Sequence, residues 1–272
     1  MTSFEFRLHP LEPEFWSGLI VHPLADAKTL LWDFSRLAKE APDELTTWAV
    51  MRKAPPLPFL PEEWHGKEVL IFATCYAGAV AEGEKATRAL RALGRPIADV
   101  VSPHQFVGWQ AAFDPLLTPG ARNYWKSHDF VGLSDGAIDA ILAGVHALPS
   151  PECEVFIAHV GGAMARIAAD ATAWPNRQAH FVMNAHGRWR DQDQDTRCIA
   201  WARKLSQSTA PFAMGSVYIN FMPEDEADRI EQAYGENYLR LAEIKRRYDP
   251  DNLFRVNQNV RPARAAVEET AS

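Results

Sequence analysis

Hydrophobic positions along this chain keep two rhythms, one of period three to four and one of period two. Over residues 23–40, Leu24, Ala27, Leu30, Leu31, Phe34, Leu37 and Ala38 recur at helical spacing, which predicts an amphipathic covering helix closed by Pro42. Residues 46–52 read as a strand, and residues 55–61, rich in proline, as a stiff loop that is either a connector or a polyproline ligand. Residues 68–76 are almost continuously apolar, as in a central strand, and residues 81–93 follow as a helix ended by Gly94. Ser134 is placed to cap a helix running to residue 148. Residues 153–160 and 180–189 read as strands and 196–208 as a helix. At the start, Phe4, Phe6 and Leu8 alternate with Glu5, Arg7 and His9, which predicts a strand over residues 1–10. The sum is an α+β fold, an antiparallel sheet backed by helices.

Two stretches carry candidate chemistry. Val217, Ile219 and Phe221 alternate with Tyr218 and Asn220, so a strand there points the phenol and the amide the same way, roughly 6.5 to 7 Å apart, in reach of one flat ligand. In residues 180–189, Val182, Asn184, His186 and Arg188 share one face, and Phe181, Met183 and Ala185 the other. Asn184 and His186 then look away from the apolar side, His186 as a structural hydrogen-bonding residue or as a catalyst. Residues 105–130 gather Trp109, Trp125 and Lys126 among other aromatic and polar groups without clean periodicity, the composition of a pocket wall, although the two indoles also suit a core.

Composition narrows the classes. At 272 residues the chain holds one large or two small domains, and its formal net charge of -7 argues against a nucleic-acid surface. Cys75, Cys153 and Cys198 are odd in number and lack Cys-x-x-Cys spacing, which fits reduced thiols in the cytoplasm. No apolar run has the length of a membrane span, and the N-terminus lacks the pattern of a signal peptide. There is no Gly-x-Ser-x-Gly elbow, Walker loop, His-Glu-x-x-His helix or Gly-x-Gly-x-x-Gly turn, and the acidic loop at residues 191–195 lacks the Gly and distal Glu of a calcium loop.

The Tyr218-Ile219-Asn220 phrase, a short helix, and the run from Asn237 through Tyr248-Asp249-Pro250-Asp251-Asn252-Leu253-Phe254 to Asn257-Gln258-Asn259 together resemble the C-terminal segment of berberine bridge enzyme-like flavoprotein oxidases, within the vanillyl-alcohol oxidase superfamily. Lys126-Ser127 is similar to the Lys-Ser step that enters a strand of that family's substrate domain. Gly161-Gly162 and Trp174-Pro175-Asn176-Arg177 are similar to a turn and a Phe-Pro-His-Arg segment, with Asn176 standing where a His is usual. The resemblance implies a terminal strand of the FAD-binding domain at residues 1–20, a substrate-binding domain at 21–222, and a C-terminal segment returning to the FAD domain at 223–272. Most of the FAD-binding domain is then absent, as a separate polypeptide or through truncation.

By the same resemblance Tyr218 is the catalytic base and Asn184 its hydrogen-bond partner, while Asn220, Asn257 and Asn259 contact FAD. Trp109, Trp125, Lys126 and His186 are the substrate-binding candidates. A phenol of pKa about 10 becomes a useful base when something stabilises its phenolate, and Lys126 or a protonated His186 is the cation to look for. The implied reaction is oxidation of an alcohol-bearing small molecule by hydride transfer to flavin. The alternative is a non-catalytic remnant kept as a binding or subunit-interaction module. In either case a missing half leaves apolar surface for a FAD-binding polypeptide or for a homo-oligomer.

Overall fold

The computed structural model describes residues 3–256 and 258–264, which fall into two compact units meeting at the Ala121–Arg122 junction. In the first, strand β1 (Glu14–Pro23) is followed by helix α1 (Ala27–Ala38), β2 (Leu45–Lys53), β3 (Glu68–Tyr76), α2 (Val80–Arg91), the short β4 (Ala98–Asp99) and β5 (Ser102–Gln105), and α3 (Phe106–Ala111). β3 lies between β1 and β2, antiparallel to both, and β4 and β5 pair successively along the other side of β1. Ile20, His22, Phe72, Leu70, Ala49 and Met51 share one face by register, and the ring of Phe34 of α1 packs at a tilt against Phe72 at 5.3 Å. On the other face Val21, Val69 and Ile71 are covered by Leu57, Phe59, Leu60 and Trp64, so the proline-rich stretch acts as a lid on the sheet. Helix α2 approaches closely because it carries Gly83, where a Cβ would lie 2.4 Å from that of Trp16. The Trp16 indole N–H donates to Thr87 Oγ1 at 2.8 Å.

The second unit holds β6 (Arg122–Phe130), α4 (Asp135–Val145), β7 (Glu154–His159), β8 (Phe181–Trp189), α5 (Asp195–Thr209), α6 (Ile230–Tyr234) and α7 (Asn237–Tyr248). β8 lies between β7 and β6, antiparallel to both. One face carries Phe181, Met183 and Ala185 of β8 with Val155 and Ile157 of β7, all buried, and α5 docks on this side through a hydrogen bond between His128 of β6 and the Ser206 carbonyl at 3.0 Å. α4 crosses α5 where the Trp201 indole donates to the Gly144 carbonyl at 2.8 Å. The opposite face carries Trp125, Ser127 and Asp129 of β6, Glu154 and Phe156 of β7, and Val182, Asn184, His186 and Arg188 of β8. All nine residues of β8 are buried, so this polar face lies under cover instead of looking into solvent.

The covering segment is residues 214–222. Its Met214 amide donates to the Asp129 carbonyl at 2.9 Å and its Ser216 hydroxyl to the Asp129 carboxylate at 2.7 Å. Two expected strands are absent. Residues 3–12 have no regular structure, because no neighbouring strand pairs with them; the first strand is β1, which runs through the boundary expected at residue 20. Residues 219–221 form a 3-10 turn. Conversely β6 is a full strand inside a stretch without clean periodicity. Lys245, Arg246 and Arg247 lie in the last turn of α7, where cations suit the helix dipole.

Candidate active site

Tyr218 has extended backbone (φ -76°, ψ 115°), and the chain then turns through Ile219–Phe221. The segment lies on a sheet face, where no strand edge offers its amides a ladder. They close on themselves instead, the Phe221 amide donating to the Tyr218 carbonyl at 2.9 Å. The turn replaces two parallel side chains by a direct contact: the Asn220 amide donates to the Tyr218 hydroxyl at 2.9 Å. Tyr218 is half-buried. Phe221 is the hub beneath it, its ring centroid 5.0 Å from Tyr218, 5.3 Å from Trp125 and 5.7 Å from Phe156.

A cavity of about 210 Å³ opens beside this hub, lined by Asn123, Tyr124, Trp125, Asn220, Phe221, Met222 and Pro223. Its back wall is braced by His186, whose Nδ1 lies 3.2 Å from Glu154 Oε1 and whose Nε2 lies 3.2 Å from Asn123 Oδ1, with the Trp125 ring edge-on at 4.9 Å. The terminal segment reaches the same place: Gln258 donates to the Met222 carbonyl at 2.7 Å, and Asn259 Oδ1 is buried with no partner. Asn257 lies outside the described residues.

Other expected site residues have different partners or none. Asn184 is fully buried and both its amide atoms are unpartnered, so the expected bond to Tyr218 is not made and Asn220 makes it instead. Lys126 points to the opposite side of β6, where it pairs with Asp225 at 3.1 Å and Glu226 at 3.3 Å. It is therefore not the cation beside Tyr218. Trp109 belongs to the first unit, packed with His104 at 5.8 Å and Phe113 at 5.3 Å.

The sequence reading missed the group around Asp225. Its carboxylate accepts from Tyr124 at 2.6 Å, Arg203 at 2.7 Å and Lys126 at 3.1 Å. Burial alone would raise this carboxyl, but those three donors outweigh it and bring it down to about 2. The adjacent acids Glu224, Asp225 and Glu226 were the available signal, yet the partners of Asp225 lie on β6 and α5, far away in sequence. Burial also raises the carboxyl of Asp129, partly offset by the Ser216 hydroxyl, and pushes the Cys153 thiol up to about 12. Among the described residues no group of three potential metal ligands converges, and no helix is long and apolar enough to cross a membrane.

With this geometry in place, known proteins supply a frame. Residues 217–261 match the family model described as berberine and berberine like. An FAD-linked oxidoreductase of Dictyostelium discoideum is 25% identical over 269 residues, 96% of this chain and 55% of that protein. An uncharacterized FAD-linked oxidoreductase of Bacillus subtilis is 31% identical over 137 residues, 50% of this chain and 30% of that protein. The solved structure of wild-type BBE-like 1 from Physcomitrella patens shares the fold, with a TM-score of 0.78 at 17% identity over 96% of this chain and 56% of its own. The chain thus spans about half the length, or less, of these relatives.

Proposed function

We propose that this chain, whose signature and fold fit the substrate-side portion of a berberine bridge enzyme-like FAD-linked oxidase, supplies the substrate wall and the proton acceptor for oxidation of an alcohol. The observation that carries the reading is the seating of the Tyr218 hydroxyl. It is half-buried, held by the Asn220 amide, and set on the Phe221 ring that walls the cavity. FAD, when bound, supplies the two-electron redox chemistry. Asn220 and Asn259 are assigned to its edge. The fit rests on Asn259 Oδ1, a buried acceptor with no partner among the described residues, which suits a ring N–H.

In its phenolate form Tyr218 would accept the proton of a substrate hydroxyl, and a bound FAD would be the acceptor of the hydride from the adjacent carbon. The Asn220 N–H already points at the phenolic oxygen, which carries the charge in the phenolate before it accepts the proton. Trp125 and Phe221 exclude water from one side of the substrate, and His186 fixes Trp125 through the Glu154 and Asn123 contacts. On the same reading residues 1–20 and 223–272 belong with the flavin-binding part and residues 21–222 form the substrate side. Exposed Phe4, Phe6, Leu8, Leu239, Tyr248, Leu253, Phe254 and Val256 support a covering partner, either a separate FAD-binding polypeptide or a second copy. Those residues also favour a second reading, a binding or subunit-interaction module without flavin of its own.

Replacing Tyr218 by Phe in an assembly that holds flavin tests the proposal. Turnover should fall about 10²- to 10⁴-fold while the yellow colour of the flavin is kept. Turnover near the parent's removes Tyr218 from the reaction, and a chain that gains no flavin with any partner supports the second reading.

A further inference from the structure

On the sheet face turned away from Tyr218, two cysteines far apart in sequence come together. Cys153 immediately precedes β7, and since Glu154 lies opposite His186, the register carried one step further sets Cys153 opposite Gly187 of β8. It shares the side of Val155 and Ile157, the side on which α5 docks. Cys198 lies near the start of α5, its carbonyl oxygen 3.7 Å from the point where a Cβ at residue 187 would be. Gly187 allows this approach, because the same Cβ would stand 3.0 Å from the Tyr124 carbonyl and 3.3 Å from the Trp189 ring. The helix thus settles over a glycine, and Cys198 arrives within hydrogen-bonding reach of the Cys153 sulfur. Both cysteines are 0% exposed.

The two sulfurs are not equivalent. Cys153 Sγ is bracketed by the backbone of Arg188, donating to its carbonyl at 3.4 Å and accepting from its amide at 3.4 Å. Burial pushes this thiol up to about 12, and the neighbouring Cys198 adds to the rise. Burial also raises Cys198, but there the Cys153 thiol and Arg197 work against the rise. Cys198 is therefore the sulfur that gives up its proton first, with Cys153 as its hydrogen-bond donor, and the thiolate is the reactive form. Cys75 stands apart, half-buried on β3 of the first unit.

We propose that Cys153 and Cys198 are a reversible dithiol–disulfide pair, closed by a hydroperoxide, that staples α5 to the sheet. In the first step the Cys198 thiolate attacks one oxygen of hydrogen peroxide. An S–O bond forms, the O–O bond breaks, and the departing hydroxide takes up the proton that Cys198 gave, leaving a sulfenic acid and water. In the second step the Cys153 sulfur attacks the Cys198 sulfur. The S–S bond forms, the S–O bond breaks, and hydroxide leaves with the Cys153 proton as a second water. The two thiols have then lost two electrons between them, and the peroxide has gained them. Peroxide reaches the pair through local opening at the start of α5, which Asp195 pins to Arg122 at 2.5 Å and to Trp189 at 2.6 Å. Exchange with a small thiol reverses the bond. The inference goes beyond the oxidase reading, since it concerns the other face of the sheet and needs no flavin.

The test treats the full chain with hydrogen peroxide, alkylates it with N-ethylmaleimide under denaturing conditions, and measures its intact mass and peptide map. The expected product is a single chain lighter by two hydrogen atoms, alkylated at Cys75 alone, with residues 153 and 198 joined until dithiothreitol is added. Because the bond closes a loop of about 45 residues, the unfolding midpoint should rise by roughly 5 to 10 °C, and dithiothreitol should cancel the rise. Cys153→Ala should block the bond and leave Cys198 carrying oxygen, whereas Cys198→Ala should leave Cys153 a free thiol. Two thiols that stay free in the treated parent overturn the proposal, as does sulfinic acid without an S–S bond or a bond between two chains. If the alanine variants do not fold, the peptide map and the reversible midpoint of the parent decide alone. Loss of the proton-acceptor role of Tyr218 leaves all these outcomes untouched.

Discussion

His22, His128 and His159 sit where a positive charge is poorly solvated. His22 is fully buried with neither ring nitrogen bonded, and burial lowers its pKa despite the opposing influence of Asp26 and Asp99. Burial likewise lowers His128, which faces the Ser206 carbonyl, and His159, where a second imidazole at His180 adds to the effect. In each case the unfolded chain binds a proton at a higher pH than the folded chain does. Stability therefore falls as pH drops through about 6.5, and the slope flattens only below the lowered folded values, each group adding at most about 1.4 kcal/mol per pH unit. Urea midpoints taken between about pH 7.5 and pH 5.5 should fall steadily, and His22→Leu should remove part of the slope; a flat parent curve would sink the assignment. Such environments are not visible in sequence, where nine histidines look alike. The bond between Asn220 and Tyr218 was not foreseen, because an extended strand holds residues two apart at roughly 6.5 to 7 Å, and only the turn over Ile219–Phe221 brings the two side chains together. Whether Lys126 or Trp125 faces the site depends on strand register, and adjacent residues then take opposite sides.

At the scale of elements, the Tyr218–Phe221 turn is held by a latch at Asp225, four residues beyond Phe221. Asp225 ties the chain to Tyr124 and Lys126 of β6 and to Arg203 of α5, while Glu226 joins Lys126 and Arg229. Lys126 and Arg203 also lie over the Tyr124 ring at 5.4 and 5.5 Å. Asp225→Asn removes the charge that gathers these donors. Hydrogen exchange across residues 218–229 should speed up about tenfold or more while β8 is unchanged, and equal exchange in parent and variant would show that the latch does not hold the turn. Since the carboxyl is depressed to about 2, its contribution is complete above its ordinary value near 4 and is lost only as pH falls through about 2. The latch should therefore be indifferent to pH across the histidine range. The elements with one wet face were legible from periodicity, α1 and α2 above all. β1 and β6 were not, because both their faces are covered: β1 is apolar on both sides, and β6 puts Tyr124, Lys126 and His128 against α5 with Trp125, Ser127 and Asp129 against the turn.

For the molecule as a whole, the apolar side chains left exposed decide what company the chain keeps. Phe4 and Phe6 stack on each other at 5.6 Å and are 70% and 73% exposed; Leu253, Phe254 and Val256 are 75% to 84% exposed beyond α7, which itself exposes Leu239 and Tyr248. Scattered apolar residues on a surface are ordinary, but runs of them at two places on a chain of net charge -7 are the reason a covering partner is proposed. At about 25 cal/mol per Å² of apolar surface removed from water, covering such runs is favourable as soon as a partner of matching shape is present. The oxidase reading supplies that partner, since its relatives carry nearly as much protein again as this chain spans. Light scattering during gel filtration should therefore show concentration-dependent self-association of the chain alone. Leu253→Ser with Phe254→Ser should reduce that association, and a separately produced flavin-binding region of a relative should replace it with a yellow one-to-one complex. Association that resists the double substitution would place the contact elsewhere. A monodisperse monomer up to about 100 μM would mean that these side chains are tolerated in water, and the argument from exposure to a covering flavin domain would fail with it.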